Sequence, residues 1–405
     1  MARRPSLLLL SIASGLSPFG MAVIVPALAL FARDLGTTEA QAALLVSTYL
    51  VGLTVAQPVL GTFCDRFGRR PILLWGFGVF VVASLVCAAA DSLGLLLVGR
   101  LFQALGVSVG TVAARAVVRD TREGMEIAEA MAWISAFMGV APVFAPMIGG
   151  LLGVHFGWQS IFLVSGAMGV LVLVWVALRL PETRPADAPA TLDFATTLRA
   201  YRQLLTHRGF IGYTLVFGFC NAAFFAFLAT GAAIFERDLG MGPDRFGLIW
   251  GALSVAYIVG AGLGGVMIRR WGIGRTLRLG VAAAALLSVV MPLVLISAGV
   301  GPLSLLIPLT ALMACNGVIG PQGLAGAVSD QPALAGTAAG LSSSLGLLLC
   351  ALFAALAGLL YTGNALVPIL LISVAMLATV PALAMTGLLR PGREPGQSPR
   401  TGPVA

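Results

Sequence analysis

The sequence predicts an all-α polytopic membrane protein with twelve spanning helices arranged as two pseudo-symmetric sets of six. Three observations carry this. The 405 residues are 59% hydrophobic and only 10% charged, with a mean hydropathy of +1.00, where soluble domains are nearer half apolar and a quarter charged. Apolar segments long enough to cross a bilayer, about 20 residues each, recur along almost the whole length. They are continuous, unlike the alternating segments of roughly 10 residues that build an outer-membrane barrel.

The spans follow from hydropathy and breaker residues. They cover approximately 7–32, 41–62, 71–90, 93–117, 128–152 and 160–180, then 209–235, 245–268, 276–297, 302–325, 336–361 and 365–388. The first opens behind Met1-Ala-Arg3-Arg4 like a signal peptide, yet its apolar run continues through Phe31, too long for a signal core. Connections are short except for the polar stretch Pro181–Arg208. The expected organisation is a bundle at 1–180, a cytoplasmic linker at 181–208, a second bundle at 209–389 and a tail at 390–405. That tail is rich in Pro and Gly and reads as disordered.

Charge sets the orientation. All 24 basic residues are arginine. With the N-terminus inside, those between spans fall on the cytoplasmic side, except Arg33, Arg237 and Arg245. The positive-inside rule therefore places both termini in the cytoplasm of a multi-pass inner-membrane protein. A net charge of +8 belongs to topology here, so no nucleic-acid partner is expected. Cys64, Cys87, Cys220, Cys315 and Cys350 are scattered singly beside apolar spans, a pattern of packing residues with no metal or disulfide framework.

The densest charge lies between spans two and three, in Gly61-Thr-Phe-Cys-Asp65-Arg66-Phe-Gly68-Arg69-Arg70-Pro71. Arginines are costly at the bilayer centre, so this loop belongs at the membrane edge. A related sequence, Gly265-xxx-Arg269-Arg270-Trp-Gly272, occupies the equivalent loop of the second half, with Arg269 where the first copy has Asp65. Internal repeats of this kind form the central sites of many transporters.

These residues resemble the major facilitator superfamily, and specifically its Bcr/CflA drug-resistance branch, over nearly the whole chain. The loop Gly61–Pro71 is similar to the superfamily pattern Gly-x-x-x-Asp-Arg-x-Gly-Arg-Arg. The fourth span reads Arg100-Leu-Phe-Gln103-Ala-Leu-Gly106, like the Arg-x-x-Gln-Gly-x-Gly pattern of drug antiporters. It continues into Arg115-Ala-Val-Val-Arg119-Asp120, which resembles the Bcr/CflA branch. The fifth ends Ala145-Pro146-Met-Ile-Gly149-Gly150, similar to an antiporter Gly-Pro-x-x-Gly-Gly pattern with alanine in place of its first glycine. Val25-Pro26-Ala27-Leu28, Phe156-Gly157-Trp158-Gln159-Ser160-Ile-Phe162, Leu180-Pro181-Glu182-Thr183 and Ala335-Gly336-Thr337-Ala338 extend the likeness.

The resemblance implies the superfamily fold and drug efflux by alternating access, with the proton gradient as energy source and no bound cofactor. It implies a cytoplasmic latch of Gly61, Asp65, Arg66, Gly68, Arg69 and Arg70, with Asp65 facing the start of span eleven near Ala335–Thr337. Arg115 or Arg119 is the candidate local partner of Asp65. Plain residue chemistry also allows that loop to be only a solvated topology anchor. Arg100 lies about eight residues into its span, roughly 12 Å at 1.5 Å per residue; a charge at that depth marks function by default. Gln103 at i+3 is placed to share its hydrogen bonds. The resemblance assigns Arg100, Gln103, Gly106, Arg115 and Asp120 to coupling or site organisation. Pro142, Pro146, Gly149 and Gly150 give a bend and a close-packing face, which in the antiporters limits leak. Candidate cavity residues are Tyr49, Gln57, Asn221, Phe225, Tyr257, Asn316 and Gln322, polar or aromatic groups at mid-depth.

One departure counts against the pattern. Bcr/CflA relatives commonly carry an aspartate in span one, four residues before the Pro-Ala-Leu stretch; here that position is Ala22. No Asp or Glu lies deep within any predicted span; His155 lies near the outer end of span five and His207 in the linker. A buried carboxylate is the obvious proton carrier, because burial raises its pKa. A site without one leaves lipophilic cations unbalanced and suits neutral chloramphenicol- or bicyclomycin-like compounds. The expected state is a monomer. Export of an endogenous metabolite or natural product fits the same motifs. A polytopic membrane enzyme would need a catalytic loop, and Glu182, Asp187, Asp193 and His207 show no such spacing.

Overall fold

The computed structural model describes residues 5–122, 125–184, 194–331 and 334–388. Arg3, Arg4, Asp187, Asp193 and the tail from Arg390 onward lie outside the described residues, as do the side chains of Ala335 and Gly336. Every regular element described is helical: α1 (Leu7–Ala22), a single 3-10 turn (Val25–Ala27), α2 (Leu28–Asp34), α3 (Glu39–Phe67), α4 (Arg69–Ala88), α5 (Leu93–Thr121), α6 (Met125–Phe156), α7 (Gln159–Arg179), α8 (Phe194–Thr206), α9 (Arg208–Leu239), α10 (Pro243–Ala298), α11 (Pro302–Ser329), α12 (Ala335–Leu360) and α13 (Leu366–Met385).

Ten helices among the described residues are long and apolar enough to cross a membrane, and the apolar half of α6, Val140–Phe156, is a further shorter one. One of the ten, within α10, turns at Gly272 and so supplies two crossings. That yields twelve, in the order the hydropathy predicts. Large apolar side chains stay exposed along them, Trp75 by 76% and Leu171 by 69%, as lipid-facing surfaces require.

Three details differ from the sequence expectation. The first span is broken, because Pro26 has no N–H to continue the ladder and the chain passes through the 3-10 turn before α2. The charged junction is barely a loop. Asp65 and Arg66 are in the last turn of α3, Gly68 alone is non-helical, and α4 begins at Arg69 where Pro71 or a neighbour is expected. Finally, the polar linker contains α8, whose Leu204 is buried while Leu198 and Leu205 are exposed.

Gly68 has φ 97° and ψ 160°, a region essentially closed to residues with a Cβ. Gly272 has φ 75° and ψ 166°. The two copies of the repeated motif therefore turn the chain with one backbone conformation. At its other end, α3 starts with a reciprocal cap: Gln41 N–H donates to Thr38 Oγ1 at 3.2 Å and Thr38 N–H donates to Gln41 Oε1 at 3.2 Å.

By backbone contacts the chain forms two compact units. The first contains residues Met1–Leu192 with Ala226–Ser254 and Ala354–Ala365. In it α4 packs on α5 and α7, α3 on α5, and α1 on α5 and α6. Backbone approach is close: a Cβ on Gly106 would lie 2.6 Å from the Gly76 carbonyl oxygen, and one on Gly149 would overlap the Val23 carbonyl. The second unit contains Asp193–Phe225, Val255–Phe353 and Leu366–Ala405.

Candidate functional site

The arginine-rich end of the first unit holds a compact charge network. Arg69, only 6% exposed, bridges two carboxylates: Asp65 at 3.0 Å and Asp120, from the end of α5, at 2.7 Å. Its Nη1 also donates to the Cys64 carbonyl at 2.9 Å. Asp65 therefore pairs with a residue one turn on, a partner the sequence reading does not name. Arg115, half-buried, and exposed Arg119 lie in the last two turns of α5. Arg66 covers the Phe67 ring at 5.1 Å.

Glu182 completes this network. Its carboxylate accepts the N–H groups of Arg69 (2.9 Å), Arg70 (3.1 Å), Thr183 (2.9 Å) and Arg184 (2.9 Å). The first two belong to the first turn of α4, whose start otherwise has no side-chain cap. Partial burial pushes the Glu182 carboxyl up, but the backbone donors outweigh it and hold the group below its ordinary value. Arg184 Nη1 donates to the Arg66 carbonyl at 2.8 Å and Arg70 Nη2 to the Ala177 carbonyl at 2.8 Å. The end of α7 is thereby fastened to the α3–α4 junction. The signal in the sequence for the role of Glu182 is an acid just past a helix end in a chain poor in acids.

Deeper in the same unit, Arg100 is fully buried. Nη1 donates to the Gly20 carbonyl (2.9 Å) and to Gln103 Oε1 (2.6 Å), and Nε to the Leu45 carbonyl (3.4 Å). Its guanidinium carbon lies 4.0 Å from the Tyr49 ring centroid. Tyr49 OH donates to the Ser17 carbonyl at 3.0 Å, and Gln103 Nε2 to Ser84 Oγ at 2.8 Å. One cation thus ties α1, α3, α4 and α5 together. Among the described residues its partners are carbonyls, an amide and a ring; no carboxylate balances it. Tyr49, fully buried, belongs to this knot. Gln57 is half-buried farther along α3.

In α6, Pro142 and Pro146 both lie inside the helix. Trp250 Nε1 donates to the Pro142 carbonyl at 3.0 Å. Gly247 allows the approach, since a Cβ there would meet the Pro146 carbonyl oxygen at 2.7 Å. Gly149 and Gly150 are buried.

The second unit gathers most of the remaining polar candidates around Gly320 of α11. A Cβ placed there would lie 3.6 Å from Asn316 Oδ1, 3.8 Å from Asn221 Nδ2 and 3.9 Å from Tyr257 OH. Asn316 is 1% exposed; its Nδ2 donates to the Cys220 carbonyl at 2.8 Å while its Oδ1 has no hydrogen-bond partner. Asn221 Nδ2 donates to the Phe217 carbonyl one turn back at 2.8 Å. Phe224 sits edge-on to Phe225 at 5.3 Å and beside Tyr257 at 6.3 Å. Gln322, buried, is on the same helix, its Nε2 beside Gly264. At the arginine-rich end of this unit, His207 Nδ1 is 2.9 Å from Asp330 Oδ2, a pair not anticipated from sequence.

Comparison with known proteins agrees with this architecture. The family model described as Major Facilitator Superfamily matches residues 10–354. The MFS-type transporter YdgK of Bacillus subtilis (strain 168) is 30% identical over 359 residues, 87% of this chain and 88% of that protein. Multidrug resistance protein D of Escherichia coli (strain K12) is 30% identical over 340 residues, 84% of each. Multidrug resistance protein MdtL of Escherichia fergusonii is 32% identical over 234 residues, 58% of this chain and 59% of that protein. Among solved structures, a D-xylose-proton symporter superposes with a TM-score of 0.75 at 14% identity, covering 94% of this chain and 96% of that one. At that identity the likeness speaks for the fold alone.

Proposed function

The chain belongs to the Major Facilitator Superfamily, and from that premise we propose that it exports neutral, lipophilic drugs from the cytoplasm by alternating access, as a member of the Bcr/CflA branch. The observation that carries this reading is the set of polar groups around Gly320, two amides and a phenol with no charge among them. Such a cluster takes a neutral molecule with hydrogen-bonding groups and gives a lipophilic cation nothing to balance its charge. Two relatives, Multidrug resistance protein D and MdtL, are named for multidrug resistance.

The orientation is that of the positive-inside rule, with both termini in the cytoplasm of the inner membrane and the Asp65–Arg69–Asp120 network at the cytoplasmic face. The protein works as a monomer, requires no cofactor and draws on the proton gradient. Asn221, Tyr257 and Asn316 contact the substrate, with Asn316 Oδ1 free to accept from it. Inverted vesicles carrying the protein test this directly. Chloramphenicol should accumulate when a proton gradient is imposed and leak back when it is collapsed. Accumulation indifferent to the gradient would sink the antiport and leave the transporter; no chloramphenicol movement under either condition would sink the substrate class.

A further inference from the structure

Proline at position 146 has a consequence in its own helix. An α-helix satisfies each carbonyl with the N–H four residues on, and Pro146 carries none, so the carbonyl of Pro142 loses its partner. In a membrane such a group must find a donor elsewhere or remain costly. The donor is the indole of Trp250 in α10, 3.0 Å away. Trp250 is 1% exposed and stacks on Phe227 at 5.8 Å with an interplanar angle of 12°. Phe235 and Phe246 close the same cluster. The whole arrangement lies within one compact unit, which includes the last turns of α9 and the first turns of α10 along with α6. Indole N–H is a donor with no acceptor function, so its direction is fixed, and Gly247 gives it a backbone-to-backbone approach.

We propose that Trp250 is a positioning residue for transport: its N–H, seated on the carbonyl freed by Pro146, holds the start of α10 on the proline-bearing turn of α6, and this bond is released each time the arginine-poor end opens. The proposal rests on the transport reading above. It assigns Pro146 a specific task, since its missing N–H leaves open the Pro142 carbonyl that the tryptophan occupies. An α6 with an N–H at position 146 would offer Trp250 a carbonyl already bonded, with little to gain.

The test uses the full chain in lipid nanodiscs, with spin labels at Asp91 and Arg245, both exposed residues of the arginine-poor end. Trp250→Phe keeps an aromatic ring against Phe227 and removes the N–H together with the fused five-membered ring, so the part due to the N–H is the part that Pro146→Ala abolishes in the double variant. It should lower the ratio of short to long label distances roughly fivefold, the worth of one net hydrogen bond. Pro146→Ala restores an N–H to the carbonyl and should shift the ratio in the same direction by a similar factor. The double variant should shift no further than either single one. An unchanged distribution in Trp250→Phe overturns the proposal, and so do two shifts that multiply in the double variant. If Pro146→Ala does not fold, Trp250→Phe decides alone. The distances need no substrate, so loss of drug export with unchanged label distances in Trp250→Phe refutes the latch without touching the transport reading. A correct distance response with no export in wild type would refute the reverse.

Discussion

A carboxylate that caps a helix from another helix makes a prediction at the scale of one residue. Glu182 satisfies the first amides of α4 from the end of α7. Glu182→Gln keeps the shape and loses the charge, and should cost about 1 kcal/mol, the usual worth of a cap, discounted toward the lower end because the group is water-exposed. Thermal melting in detergent reads this as a fall of a few degrees. The pH dependence has a definite sign. Glu182 is held below its ordinary pKa in the folded protein, so its contribution is fully present above the ordinary carboxylate value and is lost as pH falls through the lowered one. The melting difference between wild type and Glu182→Gln should therefore shrink on acidification below about pH 4; a constant difference would mean that the charge is not what stabilises. Asp65 is a different case. Its side chain is 64% exposed and its partner is Arg69, so Asp65→Asn should leave folding intact while slowing transport. Equal transport rates would leave the residue a topology anchor. At Gly320 a methyl group would meet its neighbours at ordinary contact distance. Gly320→Ala should fold normally and raise the apparent KM for a bulky substrate several-fold by occupying space between the two amides and the phenol.

At the scale of elements, the two junctions at Gly68 and Gly272 invite comparison. Both require a conformation that residues with a Cβ adopt only under strain of about 1–3 kcal/mol. A Cβ at Gly68 would in addition sit 2.6 Å from Glu182 Oε2. Gly68→Ala should thus cost more than the backbone strain alone, read as a lower yield and melting temperature than wild type. The spans and the repeat were legible because hydropathy and glycine position are local properties. Glu182, Trp250 and the Ser84–Gln103 link were not, since each depends on which distant backbone group a side chain meets. The helix α8 is not legible for a further reason: a short amphipathic segment contains no long apolar run. The break at Pro26 was visible in principle, as proline within an apolar run is itself the signal.

For the whole molecule, the motifs fixed the superfamily well before any geometry, because their order and spacing survive at modest identity. They did not reveal how the candidate residues divide. Tyr49, expected beside a cavity, is fully buried in the knot around Arg100, while Asn221, Tyr257 and Asn316 converge on one glycine of the second unit. Sequence depth alone cannot separate a residue that braces helices from one that lines a cavity. The guanidinium at position 100 also has an electrical consequence. Arginine has no neutral form at physiological pH, so this helix bundle carries a permanent charge about 12 Å along α5. A membrane voltage acts on such a charge with at most about 2.3 kcal/mol per 100 mV, scaled by the share of the field it traverses. An inside-negative voltage should therefore bias the conformational equilibrium at constant pH, with no proton bound or released. Potassium diffusion potentials across proteoliposomes would reveal the bias in wild type, and Arg100→Gln should be blind to them.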